Sequence, residues 1–382
     1  MATDVSSFKD AYKTAITGNF PDKAVLAIGE QTLIFEKVPY DLRYGTNPHQ
    51  PFAAYAPVDG TLSVGNLEML KGGKAGLSLT NIQDMSQALN ILKYFDKSAC
   101  VAMKHINPCG FKVKTKGEST DELYRIARKC DDLSHFGAVV GFNTGVDETT
   151  AEAIMETFVE CVIAPDYSPG AITILNKNEG TTKLNNSIRV AKFSNLDRLP
   201  KFIGDSTKGM YNIRNLADGT LTLETPYLTR IRSVADFVTD PMIPADLAKG
   251  IKKDYTAEIK PIAQELADCL TAWYLCMNTR SNGVIFVRDG MALAVGTGQQ
   301  SRIDAVKDAI KKAKERGHSL EGSVMASDGF FPKRDCIDVA AEERIKAIVW
   351  PAGSQNDWRT IEAANEYDIA LIATLERCFL HI

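Results

Sequence analysis

Short apolar runs alternate with helix-period segments along most of this chain, and that alternation restricts it to the α/β class. Ala99-Cys100-Val101-Ala102-Met103 reads as a buried strand, and the segment 82–95 before it sets Met85, Ala88, Leu89, Leu92 and Phe95 on one helical face. Ser119-Thr120-Asp121-Glu122 starts a helix that carries Leu123, Ile126, Ala127 and Cys130 at helical spacing. A strand at 137–142, a helix from about 149 to 159 and a closing strand at 162–164 follow. Near the start, 24–29 and 33–38 read as paired strands over a short polar turn. The pattern weakens from about 185 to 226, and Arg198-Leu199-Pro200-Lys201 is a place to divide the chain. It returns with a helix at about 261–276 and a hairpin in which 284–287 faces 292–295 across Asp289-Gly290. Two helix–strand units, with strands at 348–350 and 369–372, finish it. At 382 residues the chain exceeds one compact core, so two domains are expected, 1–200 and 201–382.

A net charge of −4 argues against a nucleic-acid groove or an anionic membrane surface. The eight cysteines contain no C-x-x-C pair, which fits reduced thiols in a cytosol. No window approaches the roughly 20 apolar residues that span a bilayer. The amino terminus shows no basic region followed by an apolar stretch. A cytoplasmic protein with small-molecule partners is expected, without nucleic acid or membrane.

The chemistry-bearing residues fall into clusters. Lys104-His105-Ile106-Asn107-Pro108-Cys109-Gly110 follows the buried strand, and its Asn-Pro predicts the turn. A base and a cation at the carboxyl end of a buried strand lie where open α/β sheets place ligands. Histidine suits deprotonation of an amine near neutral pH, and an ammonium suits a developing oxyanion. Arg43-Tyr44-Gly45-Thr46-Asn47-Pro48-His49-Gln50 holds a cation, a phenol and an imidazole that are expected to converge around a flat anion. The plain alternative is a loop that satisfies its own backbone. If the register of the 284–295 hairpin holds, Asn282 lies opposite Thr297, beside Gly296-Thr297-Gly298-Gln299-Gln300-Ser301-Arg302. Ser301 would cap the next helix, and the glycine-flanked loop would favour an anion or be a turn only. Ser327-Asp328-Gly329-Phe330-Phe331-Pro332-Lys333-Arg334-Asp335 sets aromatics between acids, as a heterocycle would need or as a loop anchor would. Arg377-Cys378-Phe379-Leu380-His381 ends the chain with a cation and an imidazole. Gly72–Gly76 reads as a loop. Cys109 has no reason to meet His105, and the His-x-Glu with Pro-Cys-x-x-Cys pattern of zinc deaminases is missing, so no metal is expected.

Taken in order, these clusters resemble the 5-aminoimidazole-4-carboxamide ribonucleotide (AICAR) transformylase part of the bifunctional purine-biosynthesis family. Lys104-His105-x-Asn107-Pro108-Cys109-Gly110 and Arg43-Tyr44-Gly45-x-Asn47-Pro48-His49-Gln50 carry the likeness. It implies two cytidine-deaminase-like three-layer domains, duplicated and zinc-free, and a homodimer with shared active sites. It also implies formyl transfer from the co-substrate 10-formyltetrahydrofolate to the 5-amino group of AICAR, and allows a structural monovalent cation. Carried over residue by residue, His105 resembles the general base, Lys104 the transition-state stabiliser, and Asn282 a residue near the formyl group. Arg43, Tyr44, Asn81, Gly137, Glu160, Arg302, Arg377 and His381 are similar to AICAR-side positions. Ile303, Phe330, Asp335, Ser354 and Gln355 are similar to folate-side positions. The sequence departs from the family in three ways: a short link from Ile303 to Ser323, His135 where a small residue is usual, and Asp166 for the Gly of Ala-Pro-Gly-Tyr. With only about 40 residues before the first motif, a separate IMP cyclohydrolase is expected in the pathway. The rivals are a 10-formyltetrahydrofolate hydrolase, which would leave Arg43 and Arg377 unexplained, and a non-catalytic AICAR-binding protein, which would need no base.

Overall fold

A computed structural model describes residues 10, 15–16, 18–58, 64–73, 75–177, 186–247 and 251–381. Most of the amino-terminal segment read for a leader, and Lys74 of the glycine loop, lie outside them. The hairpin β1 (Lys23–Ile28) and β2 (Gln31–Lys37) forms as expected and is extended by β3 (Tyr55–Pro57). The first half continues through β4 (Glu68–Lys71), α1 (Leu79–Leu92), β5 (Ala99–Lys104), β6 (Asn107–Val113), α2 (Thr120–Lys129), α3 (Asp132–His135), β7 (Ala138–Phe142), α4 (Glu148–Met155), β8 (Val159–Ala164), α5 (Pro169–Asn176) and β9 (Arg189–Lys192). Two small pairs follow, β10 (Asn212–Asn215) with β11 (Leu221–Glu224) and β12 (Met242–Ile243) with β13 (Tyr255–Thr256). The second half is α6 (Ala263–Cys276), β14 (Val284–Arg288), β15 (Met291–Gly296), α7 (Arg302–Glu315), β16 (Val324–Ser327), α8 (Asp335–Glu342), β17 (Ala347–Trp350), α9 (Asp357–Glu366) and β18 (Ala370–Ala373).

Local chemistry sets the boundaries. Helix α1 starts three residues before its apolar stripe because Ser78 and Asn81 form a capping box. Helix α4 stops at Met155 rather than near 159, since Val159-Glu160-Cys161-Val162 enters the sheet. The turn after β5 is made by His105-Ile106 and not by Asn107-Pro108, which open β6.

One sheet spans both halves in the order β18-β17-β16-β14-β15-β6-β5-β7-β8-β9-β4. Helices α1 and α6 cover one face over an apolar layer that runs unbroken through both halves. The other face carries α2, α4 and α5 in the first half and α7, α8 and α9 in the second.

The second half repeats the first. In each, a hairpin is followed by a strand antiparallel to its first member and then by two parallel strands. The core of the repeat keeps a constant offset, with positions 84, 105, 106 and 109 matching 268, 289, 290 and 293. Both hairpins turn with two residues at positive φ, His105-Ile106 at 52° and 64° and Asp289-Gly290 at 52° and 70°. Both bulge at the matching residue, since the ladders skip Cys109 and Leu293.

The bulged strands β6 and β15 meet at the seam between the halves, and they pair only at Met291 and Lys112. There Val113 N–H donates to Gly290 O (3.0 Å) and the buried Lys112 ammonium to Asp289 O (2.7 Å). The symmetry-matched pairing at the other end, Asn107 with Gly296, is missing from the ladder. Pro108 has no amide to offer and the two bulges spoil the register, so the seam opens towards His105.

Candidate active site

Strand directions bring the chemistry to one edge of the sheet. β5 ends there with Lys104, β7, β8 and β9 begin there with Gly137, Glu160 and Arg189 close by, and β16, β17 and β18 end there.

The first cluster is the β5–β6 tip. Lys104 is half-buried and donates from Nζ to Phe136 O at 2.5 Å, while His105 is exposed. Gly137 has φ +74°, and a Cβ there would come within 3.3 Å of Lys104 Nζ. Ile106 N–H donates to Asp84 Oδ1 at 2.6 Å. Burial pushes the Asp84 carboxyl up from its ordinary value, against the pull of the Ile106 amide. Lys104 and His105 both line a cavity of about 210 Å³ in the open seam, with Asn107, Cys109, Asp131 and Thr297 among its walls. Asn107 Oδ1 bridges its rim to the second half, accepting from Arg280 N–H (3.0 Å) and Thr297 Oγ1 (2.8 Å). Cys109 donates to Ala102 O, and burial drives its thiol far up, so it offers no nucleophile.

The second cluster surrounds Glu160. Its Oε1 accepts from Arg43 Nη2 (3.0 Å) and from the buried Arg189 Nη1 (2.7 Å). Arg43 also reaches Asn81 Oδ1 at 3.4 Å and lies over the Tyr44 ring at 4.6 Å. Asn81 and Asp84 sit on the first turns of α1, so that helix ties this cluster to the His105 tip. Of the 43–50 motif only Arg43, Tyr44 and Gly45 are buried. Gln50 turns back to accept from Asn47, and His49 is exposed. The expected convergence of the whole motif is therefore corrected: its far half is a loop satisfying itself.

The third cluster belongs to the second half. Arg302 pairs with the fully buried Asp328, whose other oxygen accepts from Ser281 Oγ (2.6 Å) and Gly283 N–H (2.8 Å). Arg302 and Arg377 lie over the Phe379 ring at 5.7 and 4.5 Å, and His381 meets that ring edge-on. A Cβ on Gly329 would strike both Arg302 and Phe379. Asn282 faces Gly298 and Gln299 rather than Thr297, because the Leu293 bulge shifts the register by one. Its Nδ2 donates to Gln299 O (2.7 Å) and Gln300 O (3.0 Å), so this loop turns carbonyls, not amides, towards it. Ser301 caps α7 as expected.

Phe330 is exposed, whereas Phe331 is a buried anchor. Asp335 opens α8, Ser354 and Gln355 precede α9, and Asn356 joins the two loops through Pro332 O at 3.1 Å. Ile303 is half-buried against the second-half core. Of the two single-residue departures, Asp166 pairs with Lys192 at the opposite edge of the sheet and stays clear of the site. His135 is buried edge-on against Tyr124, next to the carbonyl that holds Lys104. Burial, with Arg128 and Lys104 nearby, lowers its pKa to about 4.

These residues do not form one pocket within a single chain. Six strand steps separate β8 from β16, on the order of 30 Å between the Glu160 and Asp328 clusters. Three steps separate β5 from β14, on the order of 15 Å between the Lys104 tip and Asn282. Asp84, Arg189 and Asn107 are not among the site residues that the sequence singles out, whereas Asp328 is one of the two acids flanking the aromatics. Asp84 carried a signal, a carboxylate beside the apolar stripe of α1 and three residues after Asn81, whereas Arg189 lies in an apolar run.

The profile of the AICARFT/IMPCHase bienzyme family matches residues 1–312. The bifunctional purine biosynthesis protein PurH of Persephonella marina is 36% identical over 342 residues, 89% of this chain and 59% of that protein. Its counterpart in Dictyostelium discoideum is 34% identical over 383 residues, 100% of this chain and 63% of that protein. That of Xanthomonas campestris pv. campestris is 37% identical over 346 residues, 89% and 58% respectively. The chain thus spans about three fifths of the length of the curated relatives it matches.

Proposed function

The chain belongs to the AICARFT/IMPCHase bienzyme family, and from that premise we propose that it transfers a formyl group from 10-formyltetrahydrofolate to the 5-amino group of AICAR. The observation that carries this reading is a cavity lined by both Lys104 and His105, with Thr297 of the second half in its wall. The acceptor amine is conjugated to an imidazole bearing a carboxamide, so it attacks only as its proton leaves. His105 takes that proton while the amine nitrogen bonds to the formyl carbon, and Lys104 stabilises the oxyanion. Collapse breaks the bond to N10 of the folate, which takes up a proton, and leaves 5-formamidoimidazole-4-carboxamide ribonucleotide. Asn282, its Nδ2 fixed by two carbonyls, lies near the formyl group.

On the AICAR side stand Arg43, Tyr44, Asn81, Gly137, Glu160, Arg302, Arg377 and His381. Arginines on both clusters suit a phosphate, and Glu160 keeps Arg43 in place. Ile303, Phe330, Asp335, Ser354 and Gln355 take the folate side, with Phe330 the exposed aromatic face. The wide separation of the two arginine clusters supports a homodimer in which one protomer's second half completes its partner's site. The repeated strand order supports two cytidine-deaminase-like units, 1–200 and 201–382. Eight buried free cysteines fit a reducing cytoplasm.

The test is an assay of the purified chain with AICAR and 10-formyltetrahydrofolate, following tetrahydrofolate and the formylated ribonucleotide together. Equal, AICAR-dependent appearance of both is expected. Formate release without AICAR would make it a hydrolase, and binding without turnover would make it a binding protein.

A further inference from the structure

The two hairpin tips share one device. Helices α1 and α6 are each 14 residues long, and each presents an aspartate from its sixth position to the tip of the following hairpin. Asp268 accepts from Asp289 N–H (2.9 Å) and Gly290 N–H (2.7 Å). Asp84 accepts from Ile106 N–H at 2.6 Å, and the His105 amide acts on the same carboxylate.

The tips differ in what they need. Asp-Gly is a favoured pair for a turn with two left-handed residues. His-Ile is not: a histidine tolerates φ of 52°, but a β-branched residue at 64° is a genuine outlier. Left alone, Ile106 would relax to negative φ and carry His105 with it. Such strain persists only where surrounding groups over-determine the backbone, and the buried Asp84 is such a group.

We propose that Asp84 is a positioning residue: by accepting the Ile106 amide it holds the left-handed tip that aims His105 into the cavity shared with Lys104. It touches no reacting atom and acts only through the backbone. The inference rests on the formyl-transfer reading, in which His105 is the base.

In the full chain, Asp84→Ala is expected to lower kcat about tenfold to a hundredfold, as a misaimed base does, with KM for AICAR within about threefold. Asp84→Asn keeps an oxygen for the amide, so it should retain kcat within about threefold and an unshifted pH–rate profile. Adding Ile106→Gly to Asp84→Ala removes the strain and should restore most of kcat. Two readouts need no turnover: exchange protection of residue 106's amide and the His105 ring resonances. Both should change in Asp84→Ala, and the ring resonances should return in the double variant.

Wild-type turnover in Asp84→Ala, a double variant no better than the single, or Asp84→Asn as poor as Asp84→Ala would each overturn the proposal. If Asp84→Ala folds poorly, recovery of folding and kcat in the double variant still decides it. An inactive wild type would sink the reaction assigned above, and the exchange and resonance data would still judge the clasp.

Discussion

The two ends of the seam between the repeats are built from matching parts and finished differently. At the Asp289-Gly290 end the strands close. Met291 pairs with Lys112, and Gly290 packs so tightly on Val113 and Thr115 that a Cβ would sit 2.8 Å from each side chain. At the His105-Ile106 end the matching pair is absent, a cavity fills the gap, and side chains of Asn107 and Thr297 replace ladder bonds. Within one repeated strand order, one junction thus closes on itself and the other leaves a cavity beside the proposed base. The closed end has no room for a larger residue at its tip, while the open end tolerates a strained isoleucine.

The sharpest way to break this comparison is to truncate one residue at each tip. His105→Ala should reduce formyl transfer by about 10²- to 10⁴-fold while AICAR affinity, measured by calorimetry, holds. Asp289→Ala should leave turnover alone and only lower the melting temperature. Equal effects of the two on turnover would erase the functional asymmetry.

Acid separates the ends more gently. His135, buried beside the open end, has its pKa lowered to about 4, and Nε2 has no hydrogen-bond partner among the described residues. Because the folded value lies below the unfolded one of about 6.5, its contribution is complete above pH 6.5 and lost as pH falls towards 4. The loss amounts to about 3 kcal/mol. Amide exchange followed from pH 7 to 4 should show the first-half tip losing protection before the second-half tip, and His135→Phe should blunt that difference.

The smallest effect belongs to Asp268→Ala. It strands two amides of the closed tip and should cost about 1–3 kcal/mol in denaturant unfolding, with kcat unchanged. A loss of turnover there would mean that the closed end also serves the reaction.

Local signals made much of this legible beforehand. The Asp289-Gly290 hairpin, the Ser119 and Ser301 caps and the strand ending at Lys104 all rest on short-range chemistry that the chain displays openly. What escaped depends on distant partners. The His105-Ile106 turn contradicts the preference of its own residues and is held by Asp84, some twenty positions earlier. The Leu293 bulge, invisible as a pattern, moved Asn282 by one place. Arg189 hid within an apolar strand because its partner Glu160 lies on the neighbouring one. The shared strand order of the two halves leaves no periodic trace in the chain, because it rests on topology rather than on a recurring residue pattern.

The unbroken apolar layer beneath α1 and α6 has a practical consequence. A protease that nicks the exposed connection near Gly204 would cut the polypeptide without dividing the molecule. The fragments should elute together in native chromatography and part only in denaturant, so survival of a nicked preparation says little about whether either piece could be made alone.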